Sequence, residues 1–416
     1  MTLIPNCRFC ATPLTTTLCD LGAMPLANDY RMPDDKNPER SFPLHARVCP
    51  SCLLVQVDDS VPPDAIFSDY AYFSSYSDSW VAHAKRYAEA MIERFHLGPE
   101  SLVVEIASND GYLLQHFKAA GVPVLGVEPA ANVAETARAK GIDTEVAFFG
   151  VETARSLVAQ GKRADLMAAN NVLAHVPDIR DFVGGFATLL KPEGVVTFEF
   201  PHVLNLIEKV QFDTIYHEHF SYLSLVTVEK VFAAVGLKAI DVEELPTHGG
   251  SLRLFAAPAA SSLQPSARLA VLRAKEHAAG LDTLAGYEGF AAKVAEVKRG
   301  FLAFLAEARA SGKRIAAYGA AAKGNTLLNY CAIGPDFLDF TVDRNPYKHG
   351  RFTPGMHIPI KPIDAIDHSK PDYILILPWN LKDEIIKQMH HVAGWGAKFV
   401  VPIPFVTVID PSELPR

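Results

Sequence analysis

The sequence predicts an α/β protein of three domains, in which a small β-rich module precedes a doubly wound parallel sheet and a second α/β unit. Strands alternate with helices of roughly 10–15 residues over most of the chain, the pattern of parallel sheets that are covered by helices. The length of 416 residues corresponds to about three domains. Two CxxC pairs lie near the start of the chain, as in small modules that a metal ion holds together.

The charge balance excludes some classes of partner. With 39 basic and 47 acidic residues the net charge is −8, and no basic block offers the phosphate-neutralising surface that nucleic-acid binding requires. A local basic pocket for one phosphorylated small molecule remains compatible with this balance. No apolar run approaches the roughly 18–20 residues that span a bilayer, and the first residues lack the pattern of a signal peptide. We therefore expect a cytoplasmic protein without a nucleic-acid or membrane partner, and a monomer is compatible with the sequence.

The four paired cysteines indicate a zinc site. Cys7 and Cys10 form one CxxC pair, and Cys49 and Cys52 form another about 40 residues later. Two such pairs suit one tetrahedral zinc ion, provided that the segment between them folds back as strands. With four protein ligands there is no open position, so the zinc would be structural. Two disulfides, or unrelated buried thiols, are the alternatives.

We place the domain boundaries after residues 65 and 250. The first segment is rich in proline and in short apolar runs, as in a β-rich module. An aromatic connector over 67–76 follows, in which Tyr72 and Ser75 could lie over a ligand, although packing between domains explains the aromatic residues equally well. The three domains are therefore residues 1–65, 66–250 and 251–416.

Apolar runs and turn residues place the individual elements. In the middle domain we expect strands near 102–106, 124–128, 143–147, 165–169 and 194–199, with helices over 77–95, 112–120 and 130–140. Residues 261–311 are expected to be helical, with a break at Gly280. Strands near 314–318, 339–342, 373–377 and 399–401 and a helix over 325–331 complete the last domain.

The first two strands of the middle domain end in residues typical of a nucleotide-type site. Glu105 precedes a turn that contains Gly111, and Glu128 ends the next strand about 20 residues later, where an acid would hold a ribose diol. Ala107 lies where glycine would let the backbone approach a pyrophosphate. A full GxGxxG motif is therefore absent, which argues against NAD and FAD. S-adenosylmethionine, an adenosine cofactor without phosphate, fits better.

These residues and their order resemble the cofactor site of class I methyltransferases. The resemblance implies that the cofactor is bound by Glu105, Ala107, Asn109, Gly111, Glu128, Pro129, Phe148, Phe149, Asn170, Asn171 and, from the connector, Ser75. Taken singly, Glu128 could be a solvated strand end, and the two phenylalanines could pack in the core.

A dense cluster of titratable side chains follows the fifth strand of this domain. Tyr216, Glu218 and His219 lie within four positions, and the spacing does not match that of zinc hydrolases. Histidine suits a general base, and a phenol or a second histidine can donate hydrogen bonds to a developing oxyanion. The alternative is a polar loop with a capping or ion-pair role.

With the zinc-binding start, the His248-Gly249-Gly250 segment and the final α/β domain, this cluster resembles the sugar C-methyltransferases over essentially the whole chain. The resemblance implies methylation of carbon 3 of a nucleotide-linked 4-keto-deoxy sugar, with S-adenosylmethionine as cofactor and a structural zinc ion. The carrier would be dTDP, with GDP or another nucleotide as alternatives. The resemblance implies that His219 is the base, that Tyr216 and His175 lie near the keto oxygen, and that Glu218 holds the sugar or orients the base.

The last domain is expected to hold the nucleotide diphosphate. A helix N-terminus presents free amide groups to phosphate, and basic residues lie at two of the predicted strand ends. The candidate substrate ligands are Tyr72, His248, Gly249, Lys323, Asn345, Lys348 and Arg351. A degenerate unit kept for packing is the alternative for this domain.

Two other functions compete with sugar C-methylation. An O-methyltransferase could use the same scaffold, with the base acting on a hydroxyl. Alternatively, the chain could be a non-catalytic module that binds nucleotide sugars, because Ala107 departs from the usual glycine.

Overall fold

The computed structural model describes residues 4–58, 75 and 78–414. The strands, in chain order, are β1 (Thr16–Met24), β2 (Phe42–Val48), β3 (Val55–Val57), β4 (Val103–Ile106), β5 (Val124–Val127), β6 (Thr144–Glu145), β7 (Ala164–Asn170), β8 (Leu190–Pro201), β9 (Ser221–Tyr222), β10 (Leu237–Leu245), β11 (Ser251–Pro258), β12 (Ile315–Tyr318), β13 (Thr341–Val342), β14 (Ile360–Lys361), β15 (Tyr373–Ile376), β16 (Lys398–Val401) and β17 (Thr407–Ile409).

The α-helices of the described residues include those predicted near 77–95, 112–120, 130–140, within 261–311 and near 325–331, and six more that the sequence patterns did not place individually. They are α1 (Asp78–Phe95), α2 (Leu114–Ala119), α3 (Ala131–Ala139), α4 (Val151–Ala159), α5 (Ile179–Leu189), α6 (Val203–Glu208), α7 (Leu225–Ala234), α8 (Ala267–Ala278), α9 (Phe290–Ala310), α10 (Ala322–Cys331), α11 (Ala365–Ser369) and α12 (Lys382–Gln388). The predicted break at Gly280 is confirmed, since α8 ends just before it and Gly280 has a φ of +77°. No helix in the described ranges is long and apolar enough to cross a bilayer.

The N-terminal module is built around an antiparallel sheet in the order β1-β2-β3-β9. Inward-facing residues of β1 and β2, such as Leu18, Leu44 and Ala46, are fully buried, as alternation along a half-buried strand requires. The fourth strand comes from the middle of the chain, because Ser221 and Tyr222 pair with β3. The zinc module therefore shares its sheet with the segment that carries the predicted base.

The middle sheet has the order β10-β11-β8-β7-β4-β5-β6, and β4 to β8 run parallel. The chain builds outward from β4 to β6 and then returns to β7 on the other side of β4. Such a reversal opens a crevice at the carboxyl ends of β4 and β7, where open α/β sheets bind their ligands. The predicted cofactor residues lie on the loops at this edge.

The middle sheet extends beyond the predicted boundary at residue 250. The strands β10 and β11 form an antiparallel hairpin, and β11 pairs with β8 from Ser251 to Ala256. The boundary therefore falls between two paired strands of one sheet. The sequence pattern places His248, Gly249 and Gly250 at a domain junction or in a turn, and the structure shows that they form the turn of this hairpin.

The last domain has a sheet in the order β14-β13-β12-β15-β16-β17, parallel except for β17. Its strand order also reverses, here at β12, so a second crevice opens at the carboxyl ends of β12 and β15. The helix α10 begins at this crevice. The core of this domain continues into the N-terminal module, because residues of β1, α9 and α10 belong to one buried cluster.

Candidate active site

The four predicted zinc ligands come together in the N-terminal module. Their sulfur atoms all lie within 4.8 Å of one another. The Cys7–Cys52 and Cys10–Cys49 sulfur pairs are 3.5 and 3.4 Å apart. A zinc ion with bonds of about 2.3 Å would set its sulfur ligands about 3.8 Å apart, so the cluster fits one tetrahedral ion. The disulfide alternative does not hold in this structure, where all four cysteines are free.

Both cysteine pairs lie on the same kind of turn. The residue after each pair, Ala11 or Leu53, has a positive φ of 60° or 68° and donates its backbone N–H to the carbonyl oxygen of the first cysteine of the pair. This turn aims two sulfur atoms at one point. A zinc ion there would link the hairpin that contains Cys7 to the turn before β3.

The loop after β4 is wrapped around the Glu128 carboxylate. Its two oxygen atoms accept hydrogen bonds from the backbone N–H groups of Asn109 and Ala130, each at 2.9 Å. Ala107 and Asn109 have left-handed backbones, with φ of 54° and 49°. Glu128 is thus a buried organiser of the loop, and the alternative of a solvated strand end does not hold.

Unsatisfied polar atoms concentrate at the crevice between β4 and β7. Burial usually leaves such atoms paired, so unpaired ones point to a ligand. Buried side-chain oxygens without a hydrogen-bond partner belong here to Glu105, Ser108, Asp110, Asn170 and Asn171. The donor-rich, uncharged adenosine and the amino-acid part of S-adenosylmethionine suit such a set of acceptors. The residues present therefore fit this cofactor.

The remaining predicted cofactor residues divide into two groups. Phe148 is 57% exposed on the loop after β6, and Pro129 is half-buried beside Glu128. The ring of Phe149 instead packs edge-on against Phe182 and Phe186, as the core-packing alternative requires.

The connector reaches the loop after β4 through Ser75, which hydrogen-bonds to the Asp110 carboxylate. Lys140 lies on the same carboxylate, with its Nζ 3.1 Å from Oδ2. The glycine at 111 has a φ of +78°, as the loop requires. The prediction for Tyr72 lies outside the described residues.

The imidazole of His219 is held at both nitrogens. Its Nδ1 lies 3.0 Å from the carbonyl oxygen of Thr214, and its Nε2 lies 2.6 Å from the hydroxyl of Tyr216. A carbonyl can only accept, so Nδ1 carries the proton and Nε2 is the basic nitrogen. The ring of Tyr216 lies 4.0 Å from that of His219, which fixes the pair on one short segment.

The other predicted catalytic residues surround this pair. The ring of His175, from the end of β7, lies 4.7 Å from that of His219. Its Nδ1 lies 2.8 Å from the carbonyl oxygen of Glu218, so this nitrogen also carries the proton. The Glu218 carboxylate accepts a hydrogen bond of 2.7 Å from Asn28 of the N-terminal module. The structure therefore brings together His175, Tyr216, Glu218 and His219.

Burial keeps the histidines of this cluster neutral near pH 7. It lowers the pKa of His175 to about 4. Burial, and then repulsion from Lys323, lower the pKa of His248 to about 4. The pKa of His219 is lowered well below its usual value by burial and by the neighbouring His175. Neutral imidazoles suit a base and its neighbours, because a protonated ring has no lone pair to offer.

Residues of the last domain approach the same cluster. Lys323, at the start of α10, places its Nζ 2.6 Å from Oδ1 of Asn380 and 4.8 Å from the ring centroid of Trp379. The indole N–H of Trp379 donates to Oδ2 of Asp213 at 2.7 Å. Asp213 precedes Thr214, whose carbonyl oxygen accepts the hydrogen bond from Nδ1 of His219.

The predicted substrate ligands fall into two places. His248 and Gly249 lie on the turn between β10 and β11, and a Cβ on Gly249 would come within 2.4 Å of Trp379. Lys348 lies beside α10, with its Nζ 2.8 Å from the carbonyl oxygen of Ala320. Asn345 and Arg351 lie on the same loop as Lys348, after β13.

Sequence reasoning missed several residues of this cleft. Asn28 and Tyr30 come from a loop of the N-terminal module, and Tyr30 contacts the carbonyl oxygen of Ala320 in the last domain. Trp379 and Asn380 follow β15. Their position directly after a parallel strand was the one feature of the sequence that could have identified them.

Family models match three segments of the chain in order. They describe a domain assigned to zinc binding over residues 7–67, a methyltransferase domain over 80–242, and a C-methyltransferase C-terminal domain over 246–404. C-methyltransferase NovU of Streptomyces niveus is 36% identical over 409 residues, which cover 98% of this chain and 97% of that protein.

The chain belongs to the C-methyltransferase family. It is an S-adenosylmethionine-dependent C-methyltransferase, and its zinc-binding domain contains the cluster of four cysteines, as predicted. The alternatives of an O-methyltransferase and of a non-catalytic module are therefore set aside.

Shorter matches are to other methyltransferases. A ubiquinone biosynthesis O-methyltransferase of Methylobacterium sp. (strain 4-46) is 33% identical over 104 residues, 24% of this chain and 42% of that protein. The crystal structure of magnesium protoporphyrin IX methyltransferase from Synechocystis PCC 6803 with bound SAM is 15% identical, covers 47% of this chain and 88% of its own, and has a TM-score of 0.33.

Proposed function

We propose that this C-methyltransferase methylates a carbon next to the ketone of a nucleotide-linked 4-keto-deoxy sugar. The proposal rests chiefly on the state of His219, which is a neutral imidazole with its proton on Nδ1 and its lone pair on Nε2. A hydrogen on a carbon beside a ketone is weakly acidic, and an oriented neutral imidazole is the group that can remove it.

The proposed reaction begins with proton transfer to Nε2 of His219. The hydroxyl of Tyr216 occupies this nitrogen before substrate binds, so it must turn toward a sugar oxygen to release the lone pair. The C–H bond then breaks, its electron pair forms a carbon–carbon double bond, and the carbonyl oxygen becomes negative. The imidazolium that results keeps its bond from Nδ1 to Thr214.

When bound, S-adenosylmethionine supplies an electrophilic methyl group to the enolate carbon. The chain's own contribution is to hold the sugar carbon at the crevice between β4 and β7, where the unpaired oxygens of Glu105 and Asn170 lie. Positioning of this kind supplies much of the acceleration in such reactions. The zinc ion would be held by the four cysteines, away from the reacting atoms, as a structural ion.

The nucleotide would lie toward the last domain. Lys323, Lys348 and Arg351 are the basic groups predicted to meet a diphosphate, and Asn345 lies on the same loop as Lys348. A dTDP carrier is the first choice and GDP is the alternative. The negative charge of one diphosphate needs only this local group of cations, so the net charge of −8 is no obstacle.

Carbon 3 is the proposed position, although a 4-ketone acidifies the hydrogens on carbons 3 and 5 alike. The test is to offer the purified enzyme a panel of dTDP- and GDP-linked 4-keto-deoxy sugars with methyl-labelled S-adenosylmethionine. Product NMR then shows which atom receives the label. A methyl group on carbon 3 supports the proposal in full, and one on carbon 5 corrects only the position. Label on oxygen or nitrogen, or no turnover with any keto sugar, would overturn it.

A further inference from the structure

We propose that Lys323 donates a hydrogen bond to the enolate oxygen of the substrate, so that the last domain supplies a catalytic group as well as an anchor for the nucleotide. The inference rests on the proposed function, because it presupposes a keto sugar that forms an enolate. It changes the part of the substrate that Lys323 is expected to meet, from the diphosphate to the reacting sugar.

Lys323 lies at a position in the fold where ligands commonly bind. It lies in the first turn of α10, at the carboxyl end of β12, where the strand order of the last sheet reverses. Ligands bind open α/β sheets at such points. Its neighbours Trp379 and Asn380 follow β15, the other strand that borders this crevice.

Direct contacts connect Lys323 with His219. Trp379 lies under the Lys323 ammonium and donates to Asp213 at 2.7 Å. The next residue, Thr214, accepts the Nδ1 proton of His219 at 3.0 Å. The crevice of the last domain and the histidine cluster are thus parts of one site.

The Nδ1 protons of the two histidines nearest the proposed keto oxygen are already donated to backbone carbonyl groups. The Nδ1 proton of His219 is taken by Thr214, and that of His175 is taken by the carbonyl oxygen of Glu218. In these neutral rings Nε2 has no proton to donate. The hydroxyl of Tyr216 and the ammonium of Lys323 can both serve an oxyanion, and of these two only the ammonium is charged.

Within the described part of the chain, the positive charge of Lys323 has no carboxylate in direct contact. Lys323 is half-buried, yet no carboxylate among the described residues lies within ion-pair distance of its Nζ, and its hydrogen-bond partner is the neutral amide of Asn380. Lys323 interacts electrostatically with Asp213, which is not in direct contact with its Nζ. Burial raises the pKa of Asp213 to about 6. A desolvated cation without a carboxylate in direct contact is costly, and an enolate oxygen would give it a negatively charged hydrogen-bond partner.

The test separates formation of the enolate from methyl transfer. The probe is dTDP-linked 4-keto-6-deoxyglucose in D₂O with S-adenosylhomocysteine bound, and NMR follows deuterium entry at carbons 3 and 5. Lys323→Met should lower the exchange rate by about 10²-fold or more, the usual cost of losing one oxyanion donor. It should lower kcat similarly and change KM by less than about threefold. Lys323→Arg, which keeps the charge, should recover part of the exchange.

The controls distinguish a misfolded variant, a different role for Lys323 and a failure of the proposed function. Lys387→Met removes an exposed lysine of the same domain and should leave both rates unchanged. Calorimetry with S-adenosylhomocysteine and a thermal melt establish that each variant is folded, and Lys323→Gln replaces the methionine variant if that one is not. A raised KM with unchanged kcat and unchanged exchange rate would mean that Lys323 binds the diphosphate, and this would overturn the inference. Unchanged KM, kcat and exchange rate would overturn it as well. If the wild-type enzyme shows no exchange above the enzyme-free rate with this sugar or with any other keto sugar of the dTDP and GDP panel, the proposed function itself fails.

Discussion

At the scale of single residues, hydrogen bonds to backbone carbonyls decide what the histidines can do. Thr214 and Glu218 each present a carbonyl oxygen to an Nδ1 atom, and this sets the tautomers of His219 and His175. The protein thereby obtains two neutral imidazoles whose basic nitrogens are at Nε2. A carboxylate in place of either carbonyl would instead favour a charged ring, which is a poor base.

The first prediction concerns His219. The variant His219→Gln should lower kcat by about 10²–10⁴-fold, because the general base is lost, while calorimetry should show unchanged binding of S-adenosylhomocysteine. In the wild-type enzyme kcat/KM should stay constant as the pH is lowered from 7 through 6.5, the usual pKa of histidine. It should fall only at clearly more acidic pH, because burial lowers the pKa of His219 and the base works when it is neutral.

The comparison variant for this prediction is His217→Gln. His217 hydrogen-bonds to the carbonyl oxygen of Phe42 and takes no part in the cluster. It should lose stability but keep the kcat of its folded fraction. Wild-type turnover in His219→Gln would remove His219 as the base.

The second prediction concerns Ala107, which has a φ of 54° in the cofactor loop. Glycine adopts this backbone without the strain of a Cβ, so Ala107→Gly should bind S-adenosylhomocysteine more tightly, by about two- to tenfold in calorimetry. Ala11→Gly is the matched control, because Ala11 has a φ of 60° in the zinc-binding turn. An equal gain in S-adenosylhomocysteine affinity in the two variants would mean that the gain does not arise from the conformation of the cofactor loop.

At the scale of secondary-structure elements, the turns at strand ends set the positions of the reactive groups. Gly319 connects β12 to α10 with a φ of +94°, and a Cβ there would come within 2.5 Å of Cδ of Pro378, just after β15. The turn is therefore packed against the segment that carries Trp379 and Asn380. Their approach to Lys323 depends on it.

The third prediction follows from this turn. Gly319→Ala should lower the free energy of unfolding by about 1–3 kcal/mol through strain and overpacking, as measured by urea denaturation. It should also lower kcat, because Lys323 and Trp379 shift. Gly312→Ala, at a φ of +66° with open space around it, should cost only about 1 kcal/mol and leave kcat unchanged. Equal effects of the two changes would argue against tight packing at Gly319.

The parallel strands and their helices could be predicted because each is a continuous local pattern. Glu105, Glu128 and the Tyr216–His219 segment were identified for the same reason, since each lies at a fixed place relative to a strand. The β10–β11 hairpin was missed because Gly249 and Gly250 fit a domain junction as well as a turn. Asn28 could not be assigned from the sequence, because only the packing of the domains brings it to the cleft, and Trp379 had only its position after a predicted strand to mark it.

At the scale of the whole molecule, the zinc module and the catalytic segment form one sheet through β3 and β9. Asn28 adds a side-chain bond to Glu218 beside the base. A zinc ion held by the four cysteines would therefore support the geometry of the active site as well as the first domain.

The fourth prediction tests this coupling. Cys49→Ser should lose zinc in elemental analysis and lower the free energy of unfolding by more than about 4 kcal/mol, the range expected for a lost metal. The fraction that stays folded should also have a lower kcat, because β9 loses its partner strand. Cys331→Ser changes a buried cysteine outside the cluster and should keep its zinc. Full zinc content in Cys49→Ser would contradict the four-cysteine site.

The contact between Tyr30 and Ala320 joins residues 290 positions apart. A ribosome adds residues in order, and domains fold as they emerge. The zinc module and the cofactor crevice can therefore form on a nascent chain whose last domain is still being made. The lysine that faces the histidine cluster arrives only with the final quarter of the chain. The cofactor crevice can thus be complete before the last domain is made, whereas the proposed oxyanion donor joins the site only when translation is nearly finished.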